Sequence, residues 1–272
     1  MKRILIGITA FLAAAIALAQ GNGNPSPTPP ATADAQSGYV SNMPDFGAVP
    51  EFSNESWLNT EVPLRLSNLR GKVVLLDMWT FDCINCIHIT PYVESWHTKY
   101  ADQGLVVIGN HYPEFSFERD IANLRKALPE LGITYAIAQD DNGATWAAWA
   151  NHYWPTVYLI DKQGHLRYTH IGEGNYDSTE AAIQDLLKET YTASAEATTT
   201  PDDAHTLHYL NPTATVNVRA SAGADADVIG SIQPGEAYVI RGEENGWYRI
   251  GYNDGEGFVS GDLVKVNTVP TA

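Results

Sequence analysis

The chain has two cysteines, Cys83 and Cys86, and they form a C-x-x-C pair. With two residues between them, both sulfurs can lie in the first turn of one helix and form a disulfide with little backbone movement. Backbone N–H groups and the helix dipole stabilise a thiolate at a helix N-terminus, so we expect Cys83 to be the nucleophile. Cys86 would then attack the mixed disulfide and release the partner. The pair therefore predicts thiol-disulfide exchange.

Two other interpretations of the pair are a structural disulfide and a metal site. A bridge across so short a loop removes little conformational entropy from the unfolded chain, which argues against a structural disulfide. A structural zinc site takes four ligands, usually from two paired motifs, and this chain has a single C-x-x-C. His88 lies about 200° around the helix from Cys86, so the two do not share a face. We predict no metal site, and no cofactor beyond the redox-active Cys83–Cys86 disulfide.

The elements that must position the pair can be predicted from the apolar pattern. The run at 73–78 predicts a strand buried on both faces, and Cys83 follows its C-terminal end. The helix after it runs from Ile84 to the residue before Gly104, and we assign its larger apolar side chains to the core. These are Ile84, Ile87, Tyr92, Trp96 and Tyr100.

The rest of this region alternates strands and helices. We predict strands at 105–109, 135–138, 156–160 and 166–170, and helices at 117–128, 142–152 and 178–190. Such alternation, ending in a hairpin and a helix, predicts an α/β fold with a mixed central sheet flanked by helices.

The motifs around the pair resemble those of the thioredoxin superfamily. Asp77 lies six residues before Cys83, and Pro91 lies five residues after Cys86. Residues 62–190 most resemble the thioredoxin-like module of DipZ-type cytochrome c biogenesis proteins. The shared motifs are Trp79-Thr80 before the cysteines, Pro113-Glu114-Phe115, Trp154-Pro155 and Gly172-Glu173-Gly174.

The resemblance implies two catalytic carboxyl groups. It assigns to Asp77 the task of accepting the proton that Cys86 loses, and burial would raise the affinity of Asp77 for that proton. Glu114 matches the position of an active-site glutamate in membrane-anchored thiol reductases. His111 is close in sequence, and we interpret it as an exposed loop histidine.

The resemblance also implies a substrate-binding region. Pro155 matches the cis-proline that faces the C-x-x-C motif in this superfamily, where the backbone before it pairs with an extended peptide. Trp154 stands where thioredoxin has a small polar residue, which predicts a different choice of substrate. We expect Trp79, Trp154 and Pro155 to contact the substrate.

Composition and the first residues predict an exported protein. The net charge of −16 argues against a nucleic-acid partner, since such binding needs basic patches. Residues 1–19 have the basic start, apolar run and small-residue end of a signal peptide, which predicts a periplasmic or extracellular location. An uncleaved N-terminal membrane anchor is the alternative. We predict a disordered linker at 20–44, a thioredoxin-like domain at 45–191 and a second linker at 192–204.

The C-terminal part has a different pattern. Five short alternating segments between 216 and 259 predict a small all-β barrel, which we place at 205–267. The motifs Asn217-Val218-Arg219 and Trp247-Tyr248 resemble those of bacterial SH3 domains. The resemblance implies a cell-wall or protein ligand.

The direction of electron flow can be predicted from the charges beside the pair. Ile84-Asn85 supplies no cation between the cysteines, and Asp82 places a negative charge beside Cys83. This favours a reductase of envelope protein disulfides, served by a membrane or periplasmic electron donor. A peroxiredoxin-like peroxidase is one alternative, because Thr80-x-x-Cys83 matches part of that family's motif, although Leu76 replaces the expected proline. A cell-envelope binding protein driven by the SH3-like domain is another.

Overall fold

The computed structural model describes residues 39–192 and 206–271. The predicted signal peptide at 1–19, most of the first linker and nearly all of the second lie outside the described residues. Within the part of the chain that is described, no helix is long and apolar enough to cross a membrane.

The first part of the chain builds a mixed sheet with helices packed on it. Its strands are β1 (Ser56–Leu58), β2 (Val73–Trp79), β3 (Leu105–His111), β4 (Ala136–Gln139), β5 (Thr156–Ile160) and β6 (Leu166–Ile171). Its helices are α1 (Ile84–Tyr100), α2 (Ile121–Glu130), α3 (Ala144–Ala148) and α4 (Tyr176–Leu187). The strand order is β6-β5-β2-β3-β4, with β2, β3 and β4 parallel and β5 and β6 antiparallel to their neighbours. The predicted thioredoxin-type fold is confirmed.

Strand β2 lies at the centre of this sheet and is buried along its whole length. Its alternate side chains enter two apolar layers, as the period of a strand requires. Val73, Leu75 and Trp79 pack with α1, α2 and α4, whereas the intervening apolar residues pack with Trp57 and α3. This double covering explains the continuous apolar run in the sequence.

Helix α1 buries a narrower face than the sequence predicted. Trp96 and Tyr100 are buried as expected, but Ile84 and Tyr92 are exposed and Ile87 is partly exposed. The inward stripe follows the helical period through Cys86, Ile89, Val93, Trp96 and Tyr100. On the outer face, the ring of Tyr92 stacks on Tyr176 with 3.5 Å between centroids.

The end of the predicted first linker is ordered, so the domain starts earlier than residue 45. Arg167 on β6 is buried and donates to the backbone oxygens of Ser41, Met43 and Pro44. Ser41 also donates its hydroxyl to Asp185 on α4. Residues 41–44 are therefore part of the folded domain, because they satisfy a buried guanidinium.

The C-terminal part forms the predicted all-β region with two additional strands. The strands are β7 (Thr206–Pro212), β8 (Val216–Arg219), β9 (Val228–Ile232), β10 (Ala237–Glu244), β11 (Trp247–Tyr252), β12 (Gly255–Ser260) and β13 (Val264–Pro270). The five predicted segments correspond to β8 to β12. Strands β7 and β13 were not predicted; they pair antiparallel over seven residues, which extends the domain beyond residue 267.

The two parts share one sheet. Strand β1 pairs antiparallel with β4 on one side and with β10 on the other, so the described residues form a single path of strands through both parts. Strand β1 therefore connects the two parts of the chain. It covers the edge that β4 would otherwise expose.

Candidate active site

Cys83 lies at the N-terminus of α1, at the carboxyl end of β2. It is the N-cap residue of the helix, and its sulfur accepts the backbone N–H of Cys86 at 3.4 Å. Cys83 is partly exposed whereas Cys86 is 1% exposed, and both are free thiols. A partner can therefore reach the first sulfur directly, whereas the second is shielded from solvent.

Asp77 is a buried carboxyl group on the central strand. It is 1% exposed, and neither of its oxygens has a hydrogen-bond partner among the residues that the structure describes. Burial raises the pKa of Asp77 to about 7, because the ionised form loses its hydration. A carboxyl group with this pKa can exchange a proton near neutral pH.

Cys86 is the acid that Asp77 influences. Burial raises the pKa of the Cys86 thiol, and the negative charge of Asp77 raises it further. The backbone of Thr80 acts in the opposite sense and lowers the pKa of this thiol. Because two buried negative charges so close together are costly, the proton of Cys86 and that of Asp77 are linked.

Pro155 stands beside this centre, immediately before the neighbouring strand β5. The Trp154–Pro155 peptide bond is cis. The next residue, Thr156, pairs with Met78 on β2, which brings Pro155 close to the end of the strand that leads to Cys83. The indole of Trp154 is partly exposed and donates to the backbone oxygen of Tyr112 at 3.1 Å.

Trp154 belongs to a group of stacked rings. Its ring centroid lies 5.7 Å from that of Tyr112 and 4.6 Å from that of Trp146. Tyr153, just before it, is 59% exposed. This group gives the side of the site next to Pro155 an aromatic surface.

Trp79 lies inside the protein, unlike the surface residue that substrate contact would require. It is 1% exposed, and its ring meets His111 edge to face at 5.4 Å. Gly109 on β3 makes room for it, since a Cβ there would lie 2.7 Å from the indole nitrogen. The predicted contact of Trp79 with substrate is therefore wrong. Trp79 packs beneath the site and supports it.

The loop after β3 also differs from expectation. Glu114 is exposed, whereas His111 is fully buried and its ring stacks on Phe81 at 5.3 Å. The interpretation of His111 as an exposed loop residue was wrong, because β3 extends through it. Burial lowers the pKa of His111 to about 3, so the ring is neutral.

Glu118 is a residue of the site that the sequence did not reveal. It is fully buried and accepts hydrogen bonds from the backbone N–H groups of Asp82, Glu114 and Phe115 at 3.1, 2.8 and 2.7 Å. The hydroxyl of Thr80 also donates to it. In the sequence it stands within a charged stretch typical of a surface helix, which gave no signal of burial.

Comparison with known proteins places these residues in a family context. Residues 44–187 match the redoxin family, and residues 214–265 match the bacterial SH3 domain. Protein DipZ of Mycobacterium bovis is 42% identical over 183 residues, which cover 62% of this chain and 26% of DipZ. The chain thus spans about a quarter of that relative.

Two further matches cover nearly the whole of the related protein. Thiol-disulfide oxidoreductase YkuV of Bacillus subtilis is 32% identical over 143 residues, 52% of this chain and 95% of YkuV. The crystal structure of a thioredoxin-like superfamily protein is 29% identical, with a TM-score of 0.49, and covers 54% of this chain and 99% of that one.

Among the described residues, no group of three or more Cys, His, Asp or Glu side chains could hold a metal ion.

Proposed function

We propose that this chain, which belongs to the redoxin family, reduces disulfides of cell-envelope proteins through Cys83 and Cys86. The family membership and the bacterial SH3 match confirm the predicted resemblance, and the relatives place the chain among thioredoxin-like thiol-disulfide oxidoreductases. The observation that carries the proposal is the position of the two sulfurs. Cys83 is reachable at a helix N-terminus, while Cys86 is buried close to Asp77, whose oxygens have no hydrogen-bond partner among the described residues.

The first step is attack on the substrate. The thiolate of Cys83 attacks one sulfur of a substrate disulfide, so a Cys83–substrate bond forms, the substrate S–S bond breaks and the second substrate sulfur leaves as a thiolate. The helix N-terminus stabilises the attacking thiolate. The backbone before cis-Pro155 binds the extended segment around the substrate cysteine, beside the rings of Trp154 and Tyr153.

The second step releases the product. Cys86 gives its proton to Asp77 and attacks the sulfur of Cys83, so the Cys83–Cys86 disulfide forms and the substrate leaves as a second thiolate. Two electrons have passed from the dithiol to the substrate, and two protons complete the substrate thiols. The pKa of Asp77, raised by burial to about 7, suits it to take the Cys86 proton near neutral pH.

The charges beside the cysteines support reduction over oxidation. Asp82 is an exposed carboxylate immediately before Cys83, and Glu114 is an exposed carboxylate in the adjoining loop after β3. Glu118 is a buried carboxylate. Negative charge disfavours thiolates and so favours the oxidised form of the enzyme, which makes the dithiol a better reductant. We keep Glu114 as a candidate catalytic residue.

The partners and location follow as parts of the same proposal. Each cycle leaves a disulfide that a membrane or periplasmic thiol donor must reduce. The signal-like residues 1–19 would direct the protein to the periplasm or the cell exterior. The SH3-like part would bind a cell-wall or protein ligand there.

The experiment that tests the function is covalent trapping. Cys86→Ala should hold substrates on Cys83 as mixed disulfides that dithiothreitol releases, whereas Cys83→Ala with Cys86 intact should hold none. Purified wild-type protein should also reduce a model protein disulfide in the presence of dithiothreitol. Failure of both readouts would exclude the proposal.

The same preparation separates the peroxidase alternative. That alternative rests on the motif Thr80-x-x-Cys83. In the structure, the hydroxyl of Thr80 donates to Glu118. We expect reduced protein to consume hydrogen peroxide no faster than a free dithiol does. Fast consumption that requires Cys83 but no protein substrate would favour the peroxidase.

A further inference from the structure

The buried carboxylate of Glu118 accepts hydrogen bonds from four donors. Its Oε1 accepts from the Thr80 hydroxyl and the Asp82 N–H, and its Oε2 accepts from the N–H groups of Glu114 and Phe115. Two donors on each oxygen use the acceptor positions that a carboxylate offers. Glu118 is fully buried, so these hydrogen bonds replace its hydration.

The four donors come from two different loops. Thr80 and Asp82 belong to the segment that leads from β2 to Cys83, and Glu114 and Phe115 follow β3. Because β2 and β3 are adjacent and parallel, both loops leave the same edge of the sheet. One carboxylate therefore joins the cysteine loop to its neighbour.

Thr80 connects Glu118 to the second cysteine. Its hydroxyl donates to Glu118 and must therefore accept from Nε2 of His111, which lies 3.2 Å away. The neutral ring of His111 supplies that proton from Nε2. The backbone of the same Thr80 also acts on the second cysteine, because it lowers the pKa of the Cys86 thiol.

Glu118 also acts on the first cysteine through its neighbour. The Asp82 N–H that it binds belongs to the residue immediately before Cys83. A buried negative charge interacts strongly with other charges nearby, since little water screens it. It therefore disfavours thiolates on this loop, and at a pH where the dithiol ionises it stabilises the neutral disulfide relative to the ionised reduced form.

We propose that Glu118 is a positioning residue that holds the cysteine loop through Thr80 and Asp82 and keeps the Cys83–Cys86 pair reducing. The inference rests on the proposed function and deepens it, because it names one buried group that contributes to the direction of electron flow. Glu118 itself does not touch the substrate.

The test is the redox equilibrium of the full chain with dithiothreitol at about pH 9, where an ordinary exposed thiol ionises. Glu118→Gln keeps the shape and removes the charge, and we expect its equilibrium to shift about tenfold toward the dithiol, or about 30 mV for a two-electron couple. Glu118→Asp keeps the charge and should stay within about threefold of wild type, even where its thermal stability falls. Glu130→Gln is the matched control, because it removes an exposed carboxylate from the end of α2.

The outcomes separate this inference from the function on which it rests. A wild-type pair that does not cycle with dithiothreitol would exclude the proposed function. A cycling wild type with a Glu118→Gln equilibrium within twofold of it would overturn the inference alone. Equal shifts in Glu118→Gln, Glu118→Asp and Glu130→Gln would also overturn it, because a structural defect or a general charge effect would then suffice.

A second variant tests the link through Thr80 and remains useful if Glu118→Gln does not fold. Thr80→Val keeps the carboxylate and removes the hydroxyl, so we expect Cys86 to attack the mixed disulfide about tenfold more slowly. Thr179→Val, a buried threonine on α4, is the control and should leave this rate unchanged. An unchanged rate in Thr80→Val would contradict the positioning role.

Discussion

Asp77 and Cys86 are neighbouring buried acids: burial raises the pKa of the Cys86 thiol, and the negative charge of Asp77 raises it further. The pKa of Asp77 is itself raised by burial to about 7. The pair can therefore hold one negative charge at moderate cost but not two. Moving the proton from Cys86 to Asp77 shifts that single charge onto the sulfur that must react.

The first prediction concerns the pH dependence of the release step. As pH rises through about 7, Asp77 loses its proton and becomes able to accept one from Cys86. We expect the rate of Cys86 attack to rise with an inflection there. Asp77→Asn should lower this rate about 100-fold at pH 7 and remove the inflection. Stopped-flow reaction with Ellman's reagent separates the first thiol released by Cys83 from the second released by Cys86.

Asp141 provides a matched control for this experiment. Its carboxyl group also has a pKa raised to about 7, by burial and then by the charge of Asp254, but it lies on the side that faces the SH3-like part. Asp141→Asn should keep the inflection in the second step. An Asp77→Asn profile that follows wild type would remove Asp77 from the proton transfer.

The second prediction concerns stability. The pKa of Asp77 rises from 3.8 in an exposed setting to about 7 in the folded protein, so the folded state binds this proton more tightly. The resulting stability is complete below pH 3.8 and is lost as pH rises through about 7. Three pKa units correspond to about 4 kcal/mol. Wild type loses this contribution as pH rises, and Asp77→Asn does not. The free energy of unfolding of Asp77→Asn, taken relative to that of wild type, should therefore increase by about 4 kcal/mol from pH 4 to pH 8.

Urea denaturation of the reduced proteins at both pH values measures this difference. The comparison between the variant and wild type cancels the contributions of other titrating groups, including Asp141. A difference in the free energy of unfolding that does not change with pH would mean that the folded state holds Asp77 without a raised pKa.

The sequence was sufficient for the parts of the site that depend on local pattern. The apolar run of β2 predicted a central strand, and its register placed Asp77 inside and Cys83 at its end. The helix after Cys83 followed from the spacing, although its outer residues Ile84 and Tyr92 were assigned to the core. A helix that packs on one side has a narrow inward stripe, and aromatic residues outside it remain exposed.

The sequence was insufficient where burial depends on donors from distant segments. Glu118 is buried because four groups from two loops bind it, and none of them marks its position in the sequence. His111 was assigned to an exposed loop because strand ends are poorly defined by pattern. Strand β1 is three residues long, and its two partners lie far along the chain, so pairing with β10 left no local signal.

The third prediction concerns the N-terminal residues of the folded domain. The guanidinium of Arg167 forms ion pairs with Asp161 at 2.8 Å and Glu189 at 3.1 Å. It also donates hydrogen bonds to backbone oxygens of residues 41–44. Arg167→Met would leave both buried carboxylates without their cation, at a cost of about 3 to 5 kcal/mol. We expect limited proteolysis to cut residues 39–44 readily in this variant and slowly in wild type. Lys188→Met removes an exposed cation from the end of α4 and should not change the cleavage rate.

The fourth prediction concerns the junction between the two parts of the chain. Arg125 on α2 pairs with Glu236 of the SH3-like part through Nε and Oε1 at 2.5 Å, and Nη2 also donates to Oε2 at 3.1 Å. Glu236 is 4% exposed and also accepts from the Gln233 N–H and the Tyr238 hydroxyl, so Arg125→Met leaves a buried carboxylate without its cation and should cost about 3 kcal/mol. Because β1 joins β4 to β10 in one sheet, both parts should lose stability together. Unfolding of each part can be followed through a tryptophan that it contains, Trp57 in the first part and Trp247 in the SH3-like part. Lys126→Met changes the exposed neighbour and should have little effect. Unfolding of the SH3-like part alone, with the midpoint of the redox part unchanged, would show that the shared sheet does not couple them.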